Sequence, residues 1–378
     1  MVKSFFFDYL IPRIGLPIYW LVKLFFLPYY AVFCFKYKKN RKEKSVLVLE
    51  AGVTGWQSIE FKELYQTASE FLGKDSVVKV EISKDLDYVS QIKSTILEHR
   101  PTHYFYDPRT GSQSWFEGFI QSLRVLRLFL RHGIIPIVLL TDFSYRTWRI
   151  QSIVVSTFRG CVISFLAFKE GYPLFPHSRV TSPALMPLSK ATFDTFEGFK
   201  IKSKPKGKET NAQVKFIGSL YEPRTSFLNA VKDLLHKRKI ELEIRGRVPG
   251  EPRRSDEEYW SVLGTTPIIL TTAQQIDIAL NDWKWIQQLT YRYLEAMAVG
   301  TLLIAPEVPG MRRFFIPGVH FVSYDTEEDA ANKIEYYIHN PKERKLLSEK
   351  GAEKAEHLIK SNIYWLLIDS LLGSDSLT

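Results

Sequence analysis

The clearest chemical possibility in this sequence lies with Arg292 and Glu295, in Leu289-Thr-Tyr-Arg-Tyr-Leu-Glu-Ala-Met-Ala-Val-Gly-Thr-Leu-Leu-Ile-Ala305. Three positions apart, they share one face of any helix that holds both. Thr290 is placed to cap that helix. The helix amino end would offer unpaired N–H groups and a positive dipole end, which suit a diphosphate. A guanidinium there grips phosphate oxygens as a fork, and a carboxylate there accepts hydrogen bonds from two ribose hydroxyls. Ala296, Ala298 and Gly300 are small enough for the helix to lie close to an apolar strand at 301–305. From spacing alone, the pair also fits an ordinary solvated ion pair.

Other residues could serve the same chemistry. Gly218 and Arg224 fall in Gly-Ser-Leu-Tyr-Glu-Pro-Arg, a glycine turn followed by a helix start. Arg224 suits phosphate contact or a solvated helix face equally well. Asn281 closes an expected strand at 276–280, so it and Thr290 could touch sugar or phosphate, or simply cap their elements. Nearer the N-terminus, Gly52-Val-Thr-Gly55-Trp56 follows an expected strand at 45–50. Its glycines permit close backbone approach. Trp56 could stack on a sugar face or anchor an ordinary loop. Glu60, Asp107 and Asp142 lie at or just after strand ends, where transfer to a hydroxyl needs a base for the acceptor proton. Asp142 ranks first because it closes the most apolar strand, in Leu139-Leu-Thr-Asp-Phe, though it also fits a helix N-cap. With only Cys34 and Cys161 and no His–Glu metal spacing, no metal or cofactor is expected.

The elements that must hold these residues alternate. Short apolar runs expected as strands interleave with helically spaced segments from residue 45 to about 168, and again from 214 to 324. Such alternation predicts parallel sheets covered by helices on both faces. The 378 residues suit two domains of roughly 150–170 residues each. Glycine and lysine replace apolar residues around 196–211. The expected organisation is an apolar segment with its basic run at 1–44, an N-terminal domain at 45–195, a linker at 196–211, a C-terminal domain at 212–360, and a terminal helix and tail at 361–378.

Residues 212–360 resemble the CgeB-like (spore-maturation type) glycosyltransferases, a group within the GT-B superfamily. The resemblance rests on Arg292-Tyr-Leu-Glu295-Ala296 leading to Gly300, on Phe315-Ile-Pro-Gly-Val-His-Phe-Val-Ser-Tyr324, and on 327–355 with Asn340-Pro-Lys-Glu-Arg344. Tyr259-Trp260 and Ile276-Asp-Ile-Ala-Leu-Asn281 extend it upstream. It implies an α/β fold of GT-B type, two Rossmann-like doubly wound domains facing across a cleft. It also implies that Glu295 binds the ribose and Arg292 the diphosphate of a nucleoside-diphosphate sugar, UDP-linked by family analogy, with Gly218 and Arg224 at the donor phosphates. Two positions depart from the pattern. Gln287 stands where many GT-B enzymes carry a second carboxylate, which argues against their retaining mechanism. His320 stands where an acid is common, and a structural role suits it better.

Residues 14–35, IGLPIYWLVKLFFLPYYAVFCF, are long and apolar enough to cross a bilayer. Lys23, Pro17 and Pro28 interrupt the run, while Tyr19, Trp20, Tyr29 and Tyr30 favour the headgroup level. A tilted span, an interfacial anchor and an apolar cover for a domain or partner all fit. The run Lys36-Tyr-Lys-Lys-Asn-Arg-Lys-Glu-Lys44 places the cytoplasmic side, and no signal-peptide cleavage site is evident. The net charge of +10 is concentrated there and in 200–208, without a nucleic-acid module. It suits anionic lipid and phosphate-bearing substrates instead. The sequence therefore predicts a metal-independent, hexosyltransferase-like enzyme at the cytoplasmic face of the cell membrane, with a nucleotide-sugar donor and a membrane-proximal glycan or lipid-linked acceptor. A non-catalytic glycan-binding or scaffold protein, or a nucleotide-sugar 2-epimerase, would share the architecture.

Overall fold

The computed structural model describes residues 11–40, 45–51, 57–83, 86–110, 114–140, 146–167, 179–199, 213–247, 251, 254–273, 287–375 and 377. These form two compact units: Met1–Ser189 with Asn362–Thr378, and Lys190–Ser361.

The first unit opens with helix α1 (Ile11–Asn40), which runs through Pro17 and Pro28 and takes up the start of the basic run. It continues as β1 (Leu47–Ala51), α2 (Gln57–Leu72), β2 (Val77–Glu81), α3 (Tyr88–His99), β3 (His103–Tyr106), α4 (Trp115–His132), β4 (Ile135–Leu140), α5 (Arg146–Val155), β5 (Cys161–Ser164) and β6 (Val180–Thr181). The sheet order is β2-β1-β3-β4-β5-β6, with every pairing parallel. Strands β3, β4 and β5 are buried at every residue. A parallel sheet covered on both faces leaves its central strands no solvated side, and the central β4 accordingly reads as an unbroken apolar run. Helix ends are set by local chemistry: the Asp87 side chain accepts from Ser90 N at the start of α3, and Gly133 ends α4 at φ 71°. A Cβ on Gly133 would stand 2.7 Å from the backbone nitrogen of Tyr37, so glycine also permits the close approach of α1.

The second unit comprises α6 (Lys190–Phe199), β7 (Val214–Ser219), α7 (Arg224–Lys237), β8 (Leu242–Arg247), α8 (Asp256–Thr265), β9 (Ile268–Leu270), α9 (Tyr291–Ala298), β10 (Leu302–Ala305), β11 (Val322–Ser323), α10 (Glu327–His339) and α11 (Pro341–Lys360). Its sheet order is β11-β10-β9-β7-β8, again all parallel. The core joins Val214, Phe216, Ile268 and Ile304 of the sheet to Leu228, Val231 and Ile334 of α7 and α10. Ser255 caps α8, accepting from Glu258 N as expected of it.

The chain then returns to the first unit. Helix α12 (Ile363–Leu372) packs on α2, with the Trp365 indole donating to Thr67 Oγ1 at 2.9 Å. Beyond it Asp375 accepts from Tyr37 Oη, Arg159 and Arg179 at 3.0, 2.9 and 3.0 Å.

Both sheets place their first strand between the second and third, so successive crossovers run in opposite directions from the β1/β3 and β7/β9 boundaries. In open parallel sheets the crevice at the carboxyl ends of such a pair is where ligands bind.

Candidate functional site

In the second unit that crevice collects the predicted residues. Gly218 lies near the end of β7 with φ +151°, a conformation open to glycine. Thr271 and Thr272 follow β9. Arg292, in the first turn of α9, donates from Nη1 to Thr271 Oγ1 at 3.1 Å, and its guanidinium lies where a Gly218 side chain would begin. Arg224, the first residue of α7, donates from Nε to Thr272 Oγ1 at 2.7 Å and from Nη1 to Ser219 O at 2.9 Å. It sits 4.1 Å over the Tyr221 ring. Both guanidinium carbons lie 5.6 Å from the Phe216 ring centroid.

Two cations thus converge on one ring at the sheet edge. Burial, and to a lesser degree the charge of Arg292, pushes Arg224 down to about 10. Among the described residues no carboxylate forms an ion pair with Arg224. A buried charge is costly unless it is paired. The Tyr259 hydroxyl and Glu295 act on Arg292, while Arg224 has the neutral acceptors Thr272 Oγ1 and Ser219 O, so there is a place for an anion beside Arg224. Glu295 is one turn along α9 from Arg292 and nearly buried; its Oε2 accepts from Tyr259 Oη at 2.6 Å. Burial, reinforced by this carboxylate, holds the Tyr259 phenol well above its usual range, so it remains a donor.

Thr290 corrects one expectation. It occupies the N-cap position of α9 in extended backbone, but its side chain makes no capping bond. Its Oγ1, the Arg292 Nε and the Gln287 Oε1 are buried atoms with no hydrogen-bond partner among the described residues. All three stand at the entry to α9, and buried polar atoms normally find partners. His320 is structural: its Nδ1 accepts from Ile316 N at 2.9 Å.

In the first unit, two of the three carboxylates proposed for the acceptor proton are committed elsewhere. Arg109 Nε and Nη2 bond Asp107 at 2.7–3.0 Å, while Nη1 and Nη2 each bond Glu60 Oε2 at 3.1 Å. All three side chains are almost wholly buried. This corrects the idea of Glu60 or Asp107 as a free base. Asp142, Gly55, Trp56 and Asn281 lie outside the described residues.

Sequence reasoning missed Glu50. It stands last but one in β1, at the β1/β3 crevice, 3% exposed, and accepts from Tyr88 Oη, Tyr104 Oη and Thr110 Oγ1 at 2.8, 2.9 and 2.7 Å. Burial raises it to about 7 against the opposing pull of those hydroxyls. An acid closing the run Val-Leu-Val-Leu-Glu50 was the available signal. The expectation of no metal also rested on the absence of an Asp-X-Asp motif, which Asp85-Leu86-Asp87 contradicts; Asp87 caps α3. Thr271, Thr272 and Tyr259 complete the second unit's site.

Residues 224–366 match a protein-family model described as glycosyl transferase-like, a span that includes Arg224, Arg292 and Glu295. No curated protein matches the chain significantly in sequence. Among solved structures, a glycosyltransferase from Rickettsia africae ESF-5 superimposes with TM-score 0.53 at 11% identity, covering 88% of this chain and 99% of its own. HepE from Anabaena, solved with UDP and glucose, gives TM-score 0.52 at 11% identity over 87% of this chain and 99% of its own. Sucrose-phosphate synthase from Thermosynechococcus elongatus gives 0.53 at 11% identity over 88% and 98%. The chain has the GT-B fold. Its two parallel sheets are the two Rossmann-like halves of that fold, and its N-terminal apolar helix precedes the first of them. Within the GT-B frame, the arginine pair and Glu295 lie in the C-terminal half.

Proposed function

We propose that the protein is a glycosyltransferase that takes a sugar from a nucleoside-diphosphate donor held by its C-terminal unit. The observation that carries this reading is the convergence of Arg224 and Arg292 on Phe216 beside Gly218, with no carboxylate ion-paired to Arg224 among the described residues. Two guanidinium groups with fixed partners are preorganised to hold a diphosphate and to stabilise it as it departs with growing charge. Glu295, steadied by Tyr259, is assigned the ribose hydroxyls. The match to a glycosyl transferase-like family model over 224–366, and a GT-B neighbour solved with UDP and glucose, support a UDP-linked donor.

The finer placement in the CgeB-like group rests on Arg292-Tyr-Leu-Glu295-Ala296 and its sequel. With Glu60 and Asp107 taken up by Arg109, Asp142 is the proposed base for the acceptor. The acceptor is a membrane-proximal glycan or lipid-linked glycan at the cytoplasmic face. Gln287, an amide where a second carboxylate is common, favours as a second reading a protein that binds the donor or a glycan without turnover.

Purified protein incubated with UDP-sugars, with and without membrane extract as acceptor source, tests the proposal. Release of UDP that rises with added extract is expected. Tight UDP binding with no release from any donor would instead establish the non-catalytic reading.

A further inference from the structure

Helix α1 shows two unlike faces. Tyr19, Val22, Phe26, Phe33 and Tyr37, spaced by three, four or seven, are buried against α4 and α5. Tyr30 stacks on Phe158 and accepts from Arg159 Nε, fixing the same edge. The opposite face presents Leu16, Trp20, Leu21, Leu24, Phe25, Leu27, Val32 and Phe35, with Leu21, Phe25 and Phe35 67%, 73% and 70% exposed. Between residues 16 and 35 the sole charged residue is Lys23, turned to the flank, where it donates to Tyr19 Oη. Twenty residues of helix extend about 30 Å, so this is a long, uncharged apolar strip of a size that soluble surfaces seldom leave open.

Its surroundings are cationic. Phe116, Ile120, Arg124, Arg127 and Arg131 of α4 fall on one helical face, all exposed. Arg127 lies 5.4 Å over the ring of Tyr29, midway along α1. Exposed Lys36 and Lys38 follow the strip, and Lys36, Lys93 and Arg131 all act on His132. Two acids lie near this row among the described residues: Asp87, 3.6 Å from Arg124, and the exposed Glu117, which lines one hollow with Phe116, Ile120 and Arg124.

We infer that α1 lies in the plane of an anionic lipid surface, its Leu21–Phe25–Val32–Phe35 face in the acyl boundary and the α4 arginines at the phosphates. A spanning orientation would carry Arg127, fixed beside the middle of α1, to the depth at which an arginine is most costly. Lying flat, the same arginine reaches the headgroups. The apolar strip supplies insertion and the basic rows supply the preference for negative lipid.

The test uses the full chain and vesicles of phosphatidylcholine with or without phosphatidylglycerol. Flotation with the anionic vesicles is expected. Leu24→Asp with Phe25→Asp should abolish it, and Lys36→Glu with Arg131→Glu should weaken it by about fivefold or more for each basic residue removed. Unchanged thermal melting shows that these outward-facing variants still fold. Nitroxide labels at Leu21→Cys, Phe25→Cys, Val32→Cys and Phe35→Cys, in a Cys34→Ser background, then report depth. Equal shallow depths support the in-plane placement. A graded depth, approaching about 21 Å between positions 21 and 35, would establish a span and overturn it. Absence of flotation with a concentration-dependent dimer would assign the strip to a second copy and overturn it equally. Flotation indifferent to lipid charge removes the assigned role of the arginines.

Discussion

A Cβ on Gly218 would stand 2.6 Å from Nη2 of Arg292, so the glycine leaves room for the guanidinium. The positive φ of Gly218 adds a second reason for glycine there. Gly218→Ala therefore meets a backbone penalty of about 1–3 kcal/mol and displaces Arg292 as well. The expected outcome is a lower melting temperature together with weakened UDP affinity. Gly300→Ala, with φ +80° but open space around its Cβ position, controls for backbone strain alone: it should destabilise without changing affinity.

Tyr259→Phe deletes the hydroxyl that donates to Glu295 Oε2. A hydrogen bond to a charged group contributes about 1.5–3 kcal/mol, and part of that should reappear as weaker nucleoside recognition. UDP is expected to bind the variant less tightly, with inorganic pyrophosphate weakened by less, since the same hydroxyl also acts on Arg292. Loss of both in equal measure would mean that Tyr259 supports the whole site rather than the ribose end.

Glu50 gives the N-terminal unit a defined pH response. Burial lifts its carboxyl from an ordinary value of 4.5 to about 7. The folded state therefore holds this proton more tightly than the unfolded chain does. Its stabilising contribution is complete below about pH 4.5 and is lost as pH rises through 7, an effect of about 3 kcal/mol. Glu50→Gln keeps the shape and removes the titration. Urea unfolding from pH 4.5 to 8 should show stability shifting in the variant's favour by about that amount, and a constant difference across the range would contradict the assignment.

Asp375 joins the tail to α1 and to Arg159 and Arg179. Removing one member of a buried ion pair costs about 3–5 kcal/mol. Both arginines are about a third exposed, and solvent screening reduces that to about 1–3 kcal/mol for Asp375→Ala. UDP affinity should be unchanged, since the residues proposed to hold the donor sit in the other unit.

Much of this was legible beforehand. Strands β4 and β10 are unbroken apolar runs because parallel sheets are covered on both sides, and the crossover pattern follows from their alternation with helices. Helical spacing put Arg292 and Glu295 on one face, and the family resemblance set the pair apart from an ordinary ion pair. Arg109 was not, because its tie to Glu60 joins residues 49 positions apart. Thr271 and Thr272 carried no signal either, since a threonine after a strand is ordinary until an arginine from another element reaches it. Thr290 was correctly placed at the helix start, yet which way its hydroxyl turns is settled by tertiary neighbours, not by the residue type.

The most direct test of the donor site is the melting temperature of the full-length protein titrated with UDP, in parallel with Arg224→Ala and Arg292→Ala. Ligand at about 100 times its Kd stabilises the native state by about 2.7 kcal/mol. The expected result is a rise in melting temperature that grows with the logarithm of UDP concentration in the wild type and is lost or shifted to at least about tenfold higher UDP in each variant. A wild type indifferent to every nucleoside diphosphate, or variants that respond as the wild type does, would contradict the reading of these two arginines as the diphosphate clamp.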